Sequence, residues 1–172
     1  EDFTHIGHYD TIPFGLADIV TKDKIPKNID KWQKEHQAAL SNHSLPDTDR
    51  YGEDRWEYVA VKDYYQARHK EAHTLLNFAM ANNHHRPSLY KAEEIILWVV
   101  ERHPEPVPSF YYRNLGIIYQ QMLMGETDRK QAKIINPKMI KAFSDYLRVA
   151  SPQEGGYNDI KQVVEHAANQ NL

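Results

Sequence analysis

From Arg55 onward the apolar residues recur at helical spacing and nowhere alternate with a strand's period of two, which confines this part of the chain to packed helices. Trp56, Val59, Tyr64, Ala67, Leu75, Leu76 and Ala79 keep offsets compatible with 3.6 residues per turn, and neither Pro nor Gly interrupts before Pro87. The spacing predicts a helix of about seven turns. After a polar turn over residues 82–87 comes a helix over 89–102, whose Ala92, Ile95, Ile96, Val99 and Val100 line one broad face. Pro104 stops it, because a proline disfavours helical geometry in the residue before it. A third helix is expected over 110–124. A fourth is expected over 137–149, with Pro137 at a permitted first-turn position and Ile140, Phe143, Tyr146 and Leu147 on its apolar face. A last one over 157–168 follows Gly155-Gly156 and sets Ile160, Val163 and Val164 against charged residues.

Residues 1–54 differ in character. Residues 1–60 carry 12 acidic and 7 basic side chains, a net of −5, whereas 61–172 carry 12 and 14, a net of +2. The stretch 1–26 is punctuated by Gly and Pro, and 41–54 is a polar connector. Between them one helix begins near Asn28, a good N-cap, with Asp30 in its first turn and Trp32, His36, Ala39 and Leu40 at helical spacing. This is too little apolar surface to fold alone. Residues 1–54 therefore read as an arm, about half of it irregular, lying along the helical domain 55–172 or along a partner. The opposite signs make charge complementarity between arm and helices an expectation.

Composition removes several functions. The longest apolar run, six residues from Ile95 to Val100, falls far short of the roughly 20 that a membrane-spanning helix needs. Without cysteine there is no disulfide, thiolate metal site or thiol nucleophile, so any metal must be held by His, Asp or Glu. A net charge of −3 on a mixed surface offers no basic face for nucleic acid. The chain opens at Glu1 without an initiator methionine and reads as a processed product, by loss of either a signal peptide or a tag. A periplasmic or otherwise exported location is the preferred expectation, with a cytoplasmic one left open.

Two segments share one grammar. Lys91-Ala92, Ile96, Val99 and Pro104 are matched by Lys138-Met139, Phe143, Tyr146 and Pro152, and upstream of the second lies Tyr112-x-x-Leu115-Gly116-x-x-Tyr119. These residues resemble the tetratricopeptide repeat family, whose repeat is a pair of antiparallel helices, A and B. The resemblance implies an all-α, helix-hairpin array of about two repeats, over about 73–106 and 109–152, with a C-terminal capping helix over about 157–168 and a largely irregular N-terminal arm before it. Leu76, Ala79 and Met80 stand in the signature positions of the first helix A. The offset is 36 residues between the A helices but 47 between the B helices, so an insertion is expected over 124–136. Gly116 and Ala92 should allow close helix approach. The family analogy places Asn77, Met80, Arg113, Ile117 and Gln120, with Gln121 close by, on the groove face of helix A, where a partner's extended peptide or helix would lie. Eleven tyrosines and three tryptophans also suit an interface.

Catalytic motifs are wanting: the sequence has no nucleophile elbow, phosphate loop or dinucleotide fingerprint. Glu93-Glu94 and Asp47/Asp49 read as surface charge, and His84-His85 as a polar turn. Ten histidines raise the question of metal or haem. His69 and His73, at i and i+4, could share one ion, and His5 and His8 flank a glycine loop; the readings set against these are a solvated or tyrosine-packed helix face and an N-terminal segment resting on a partner. The expectation is a non-enzymatic interaction or scaffold subunit of a larger complex, without cofactor, binding one or more protein partners or further copies of itself. The alternative is a histidine-dependent metal- or haem-associated accessory protein. Two repeats are fewer than the three or so usual for a self-standing array, so arm, cap or partner must complete the fold.

Overall fold

The computed structural model describes residues 10–23, 25–43, 55–104 and 106–170, with side chains as far as residue 167. Among the described residues the order is β1 (Asp10–Phe14), β2 (Ala17–Thr21), α1 (Ile29–Ser41), α2 (Trp56–Ala81), α3 (Arg86–Arg102), α4 (Ser109–Met124), α5 (Arg129–Val149) and α6 (Tyr157–Gln170). Helices α2 and α3 form one hairpin and α4 and α5 a second; α3 packs on α4, and α5 on α6. The fold is an all-α helical-hairpin arrangement with a short two-stranded sheet at its N-terminal end. None of the described helices is long and apolar enough to cross a membrane.

Helical period accounts for the core. Ala92, Ile95, Ile96 and Val99 of α3 fall at i, i+3, i+4 and i+7, and all four are buried between the neighbouring helices. In the second hairpin Leu115, Tyr119, Phe143 and Tyr146 are buried, and Tyr112 packs against the same core from a half-buried position. Gly116 makes this spacing possible: a Cβ built there would stand 2.2 Å from Cε1 of Phe143. The backbone of α4 and the Phe143 ring approach so closely that only glycine fits.

Two helix boundaries depart from the expected ones. Helix α5 begins at Arg129 and not at Pro137, which lies inside it. The Asp128 side chain accepts from the Lys130 N–H at 2.8 Å, capping the earlier start, and Ile135 is buried, so two extra turns gain both a cap and an apolar anchor. Most of the 124–136 insertion is therefore helix. Helix α3 starts at Arg86, with Pro87 in its first turn where no N–H is required. The turn before it carries Asn83 at φ 53° and His84 at φ 57°.

The arm contains more regular structure than its composition suggests. Strands β1 and β2 pair antiparallel from Asp10↔Thr21 to Phe14↔Ala17 around the two-residue turn Gly15-Leu16. Gly15 has φ +61°, the conformation a hairpin turn with glycine first demands. Helix α1 starts as expected, with the Asn28 side chain accepting from the Lys31 N–H at 2.9 Å, and buries Ile29, Trp32, His36 and Leu40. The hairpin is fastened to α1 by two hydrogen bonds: Trp32 Nε1–H donates to the Pro13 carbonyl at 2.9 Å, and the Gly15 N–H donates to His36 Nδ1 at 3.1 Å. Both β1 and α1 pack on α2.

Candidate functional site

The joint between arm and helices is polar. Glu71 of α2 is fully buried and accepts from Gln33 Nε2 at 3.2 Å, Gln37 Nε2 at 3.0 Å and the Arg68 guanidinium. His36, also fully buried, places Nε2 3.7 Å from Glu71 and stacks on Trp32. Burial lowers the His36 pKa against the opposing pull of Glu71. With Nδ1 accepting from Gly15, the imidazole is the neutral Nε2–H form. The expected charge complementarity is present at the rim, where Asp18 of the hairpin meets Lys70 of α2 at 2.8 Å. In the buried centre the acid comes from α2 and not from the arm.

Above this joint, α2, α4 and the hairpin enclose a cleft of about 540 Å³. Its α2 wall carries His69, Lys70, His73 and Asn77, four residues that helical spacing sets on one side. Phe110, Arg113 and Asn114 come from α4, and Thr11, Pro13 and Asp18 form the roof. His69 and His73 do lie together, with ring centroids 6.4 Å apart, but amides engage both. Asn114 Nδ2 donates to His69 Nε2 at 2.7 Å, and Asn77 Nδ2 donates to His73 Nδ1 at 3.2 Å. The His69 ring also packs against Phe110 and Tyr111. Burial, then His73 and Arg113, push the His69 pKa down to about 4; burial and Arg113 lower that of His73. Both imidazoles are neutral at pH 7. Among the described residues no three His, Asp or Glu side chains gather as a possible metal site, and His5 and His8 lie outside the described residues.

A second cavity of about 320 Å³ runs between α4 and α6, lined by Arg113, Ile117 and Gln120 on one side and Asp159, Ile160 and Val163 on the other. Arg113 lines both cavities and donates to the Gly155 carbonyl at 3.3 Å. Of the six groove residues expected from the family analogy, Asn77 and Arg113 line the first cavity, and Arg113, Ile117 and Gln120 the second. Met80 is half-exposed and borders neither. Gln121 is turned to the α2–α3 turn, where its Oε1 accepts from His84 Nδ1 at 2.9 Å. That turn is thus docked on α4 and is more than a polar connector.

Of the repeat-signature residues, Ala92, Ile96, Val99, Leu115, Gly116, Tyr119, Phe143 and Tyr146 are buried, Tyr112 is half-buried, and Pro104 follows the end of α3. The adjacent acids differ: Glu94 pairs with Lys91 at the surface, whereas Glu93 accepts from Tyr119 O–H at 2.9 Å and Lys138 Nζ at 3.0 Å, joining α3, α4 and α5. Sequence reasoning missed Glu71 and the hairpin. The hairpin had a signal in Thr11-Ile12 and Ile19-Val20-Thr21, two short β-branched stretches on either side of Gly15-Leu16; Glu71 had none, because nothing local marks a surface-type residue that another segment will cover. Comparison with protein-family models, with curated proteins and with solved structures returned no match.

Proposed function

We propose that this protein is a non-enzymatic scaffold of tetratricopeptide-like build, which holds an extended segment of a protein partner along α2, α4 and α6. The observation that carries this reading is Arg113: by lining both cavities it makes them neighbouring parts of one surface, with a polar compartment toward α2 and a more apolar one toward α6. Apolar pockets flanked by a few oriented polar groups are where hot-spot side chains insert. Ile117 and Val163 supply apolar contact in the second cavity, and Asn77, Arg113 and Gln120 supply hydrogen-bonding groups along the path.

A photo-crosslinking residue at Gln120, compared with one at exposed Glu94 on α3 outside both cavities, tests this in the source cells. The expected result is a discrete crosslinked protein from position 120 that disappears in Ile117→Asp and is not formed from position 94. Absence of a product at 120, or the same products from both positions, would refute the reading.

A further inference from the structure

The cleft under the hairpin combines the apolar Pro13 and Phe110 with several groups that carry positive charge or donate hydrogen bonds. Lys70 and His73 come from α2 and Arg113 from α4. Because Asn77 donates to Nδ1 of His73, this neutral imidazole carries its proton on Nε2 and offers a donor. The one acid on the lining is Asp18, and it already meets Lys70 at 2.8 Å. Arg113 donates to the Gly155 carbonyl, and among the described residues no carboxylate pairs with it. The arm's own Asp18 shows the kind of group this cleft accepts, and one cation is left without such a partner.

We infer that the cleft receives a side-chain carboxylate from an acidic segment of the protein partner, with Arg113 pairing to it and His73 taking up a proton as it binds. This rests on the scaffold reading above and adds to it the chemistry of the partner and a pH dependence.

The charges around His73 set the direction of that dependence. On α2 they are His69 and Lys70, on α4 Arg113, and on the hairpin Asp18. Beyond Arg113, toward α5, Glu154 is engaged by the Ser109 hydroxyl at 2.9 Å and the Ser151 N–H at 3.1 Å. Burial and Arg113 hold His73 below the ordinary imidazole range. A carboxylate beside Arg113 cancels that repulsion and stabilises the imidazolium. Binding and protonation then reinforce each other, as linkage requires, and affinity rises as pH falls, by up to about tenfold per pH unit for one proton taken up.

Calorimetric titration of the full chain with hexaglutamate and with hexaglutamine tests this at about pH 7.5 and about pH 6, both above the carboxylate pKa of about 4.3. Hexaglutamate should bind at least about tenfold more tightly than hexaglutamine, and more tightly at the lower pH. Arg113→Gln should lose about tenfold and Arg113→Lys less, while His73→Gln should keep binding at the higher pH and lose the pH dependence. Tricarballylate, a free carboxylate, should compete only weakly. Equal binding of the two peptides, unchanged affinity in Arg113→Gln, an undiminished pH slope in His73→Gln, or equally strong competition by tricarballylate or inorganic phosphate would overturn the inference. If hexaglutamate fails to bind while crosslinking at position 120 persists and depends on Ile117, this inference falls and the scaffold reading stands. If the crosslink fails as well, both fall.

Discussion

Replacing Gly116 by alanine adds one methyl group at the tightest point of the second hairpin. Its Cβ would stand 2.2 Å from Cε1, 2.3 Å from Cδ1 and 2.9 Å from Cζ of Phe143. Carbon atoms in contact settle at about 3.5–4.0 Å, so the ring has to retreat by more than about 1 Å. Phe143 is only 2% exposed and has no solvent to retreat into. Overpacking of this kind costs about 1–3 kcal/mol, and the depth of the overlap puts this site at the upper end. Helix propensity acts in the opposite direction, favouring alanine by about 1 kcal/mol. The difference predicts a loss of about 2 kcal/mol, or roughly 4–8 °C in melting temperature at this chain length. Urea denaturation followed by far-UV circular dichroism measures it. A double-mutant cycle with Phe143→Ala identifies the cause, because removing the ring removes the clash but leaves the helix-propensity gain, so the two changes should couple by about 3 kcal/mol, the full overpacking cost. An alanine variant as stable as the native protein, or a cycle with no coupling, would show that propensity outweighs packing and that the close approach is not needed.

Three further outcomes follow from the arm and the cleft. Gly15→Ala must adopt φ near +61° with its Cβ 3.0 Å from that of Ala39, and is expected to cost about 1–2 kcal/mol and to speed proteolysis of the hairpin; an unchanged proteolysis rate counts against the docking geometry. Glu71→Ala leaves the Arg68 guanidinium and two glutamine amides without their buried acceptor and should lose about 3 kcal/mol in urea denaturation, with Glu71→Gln losing less; an alanine variant of native stability would contradict the reading of that joint. The pH dependence follows from His69, whose folded-state pKa of about 4 lies below the ordinary 6.5. The unfolded chain binds the extra proton between these values, so its contribution to stability is complete above about pH 6.5 and is lost by up to about 3 kcal/mol as pH falls toward 4. His36 and His73, also lowered, act in the same direction. His69→Gln should flatten part of this slope in denaturant midpoints measured across that range, and an identical slope would reject the assignment.

Much of the helical layout was legible because it rests on local rules. Asn28 caps α1, and the 3.6-residue period selects Ala92, Ile95, Ile96 and Val99 as a buried face whichever helix covers them. Pro137 misled for an equally local reason. Proline favours the first turn of a helix, but Asp128 and the burial of Ile135 outweigh that preference and carry α5 two turns further back. The candidate site was legible only in pieces. His69, His73 and Asn77 share a helix side by spacing alone, whereas Arg113 and Asn114 join them through the packing of α4, and Asp18 through a hairpin that folds back over α2.

By itself the sequence determined that most of α1 to α6 is helical, that the Ala92–Val99 face of α3 is apolar, and that Gly116 leaves room for a close approach, since each depends on periodicity, capping or side-chain size within one segment; the same period also put Trp56 and Val59 on an apolar face, and both are exposed. Only the tertiary structure decided that Glu71 is buried, that Gln121 faces the α2–α3 turn, and that Arg113 stands between two cavities. Those outcomes depend on which surface another segment covers, and burial, desolvation and pairing of charge are properties of the assembled neighbours.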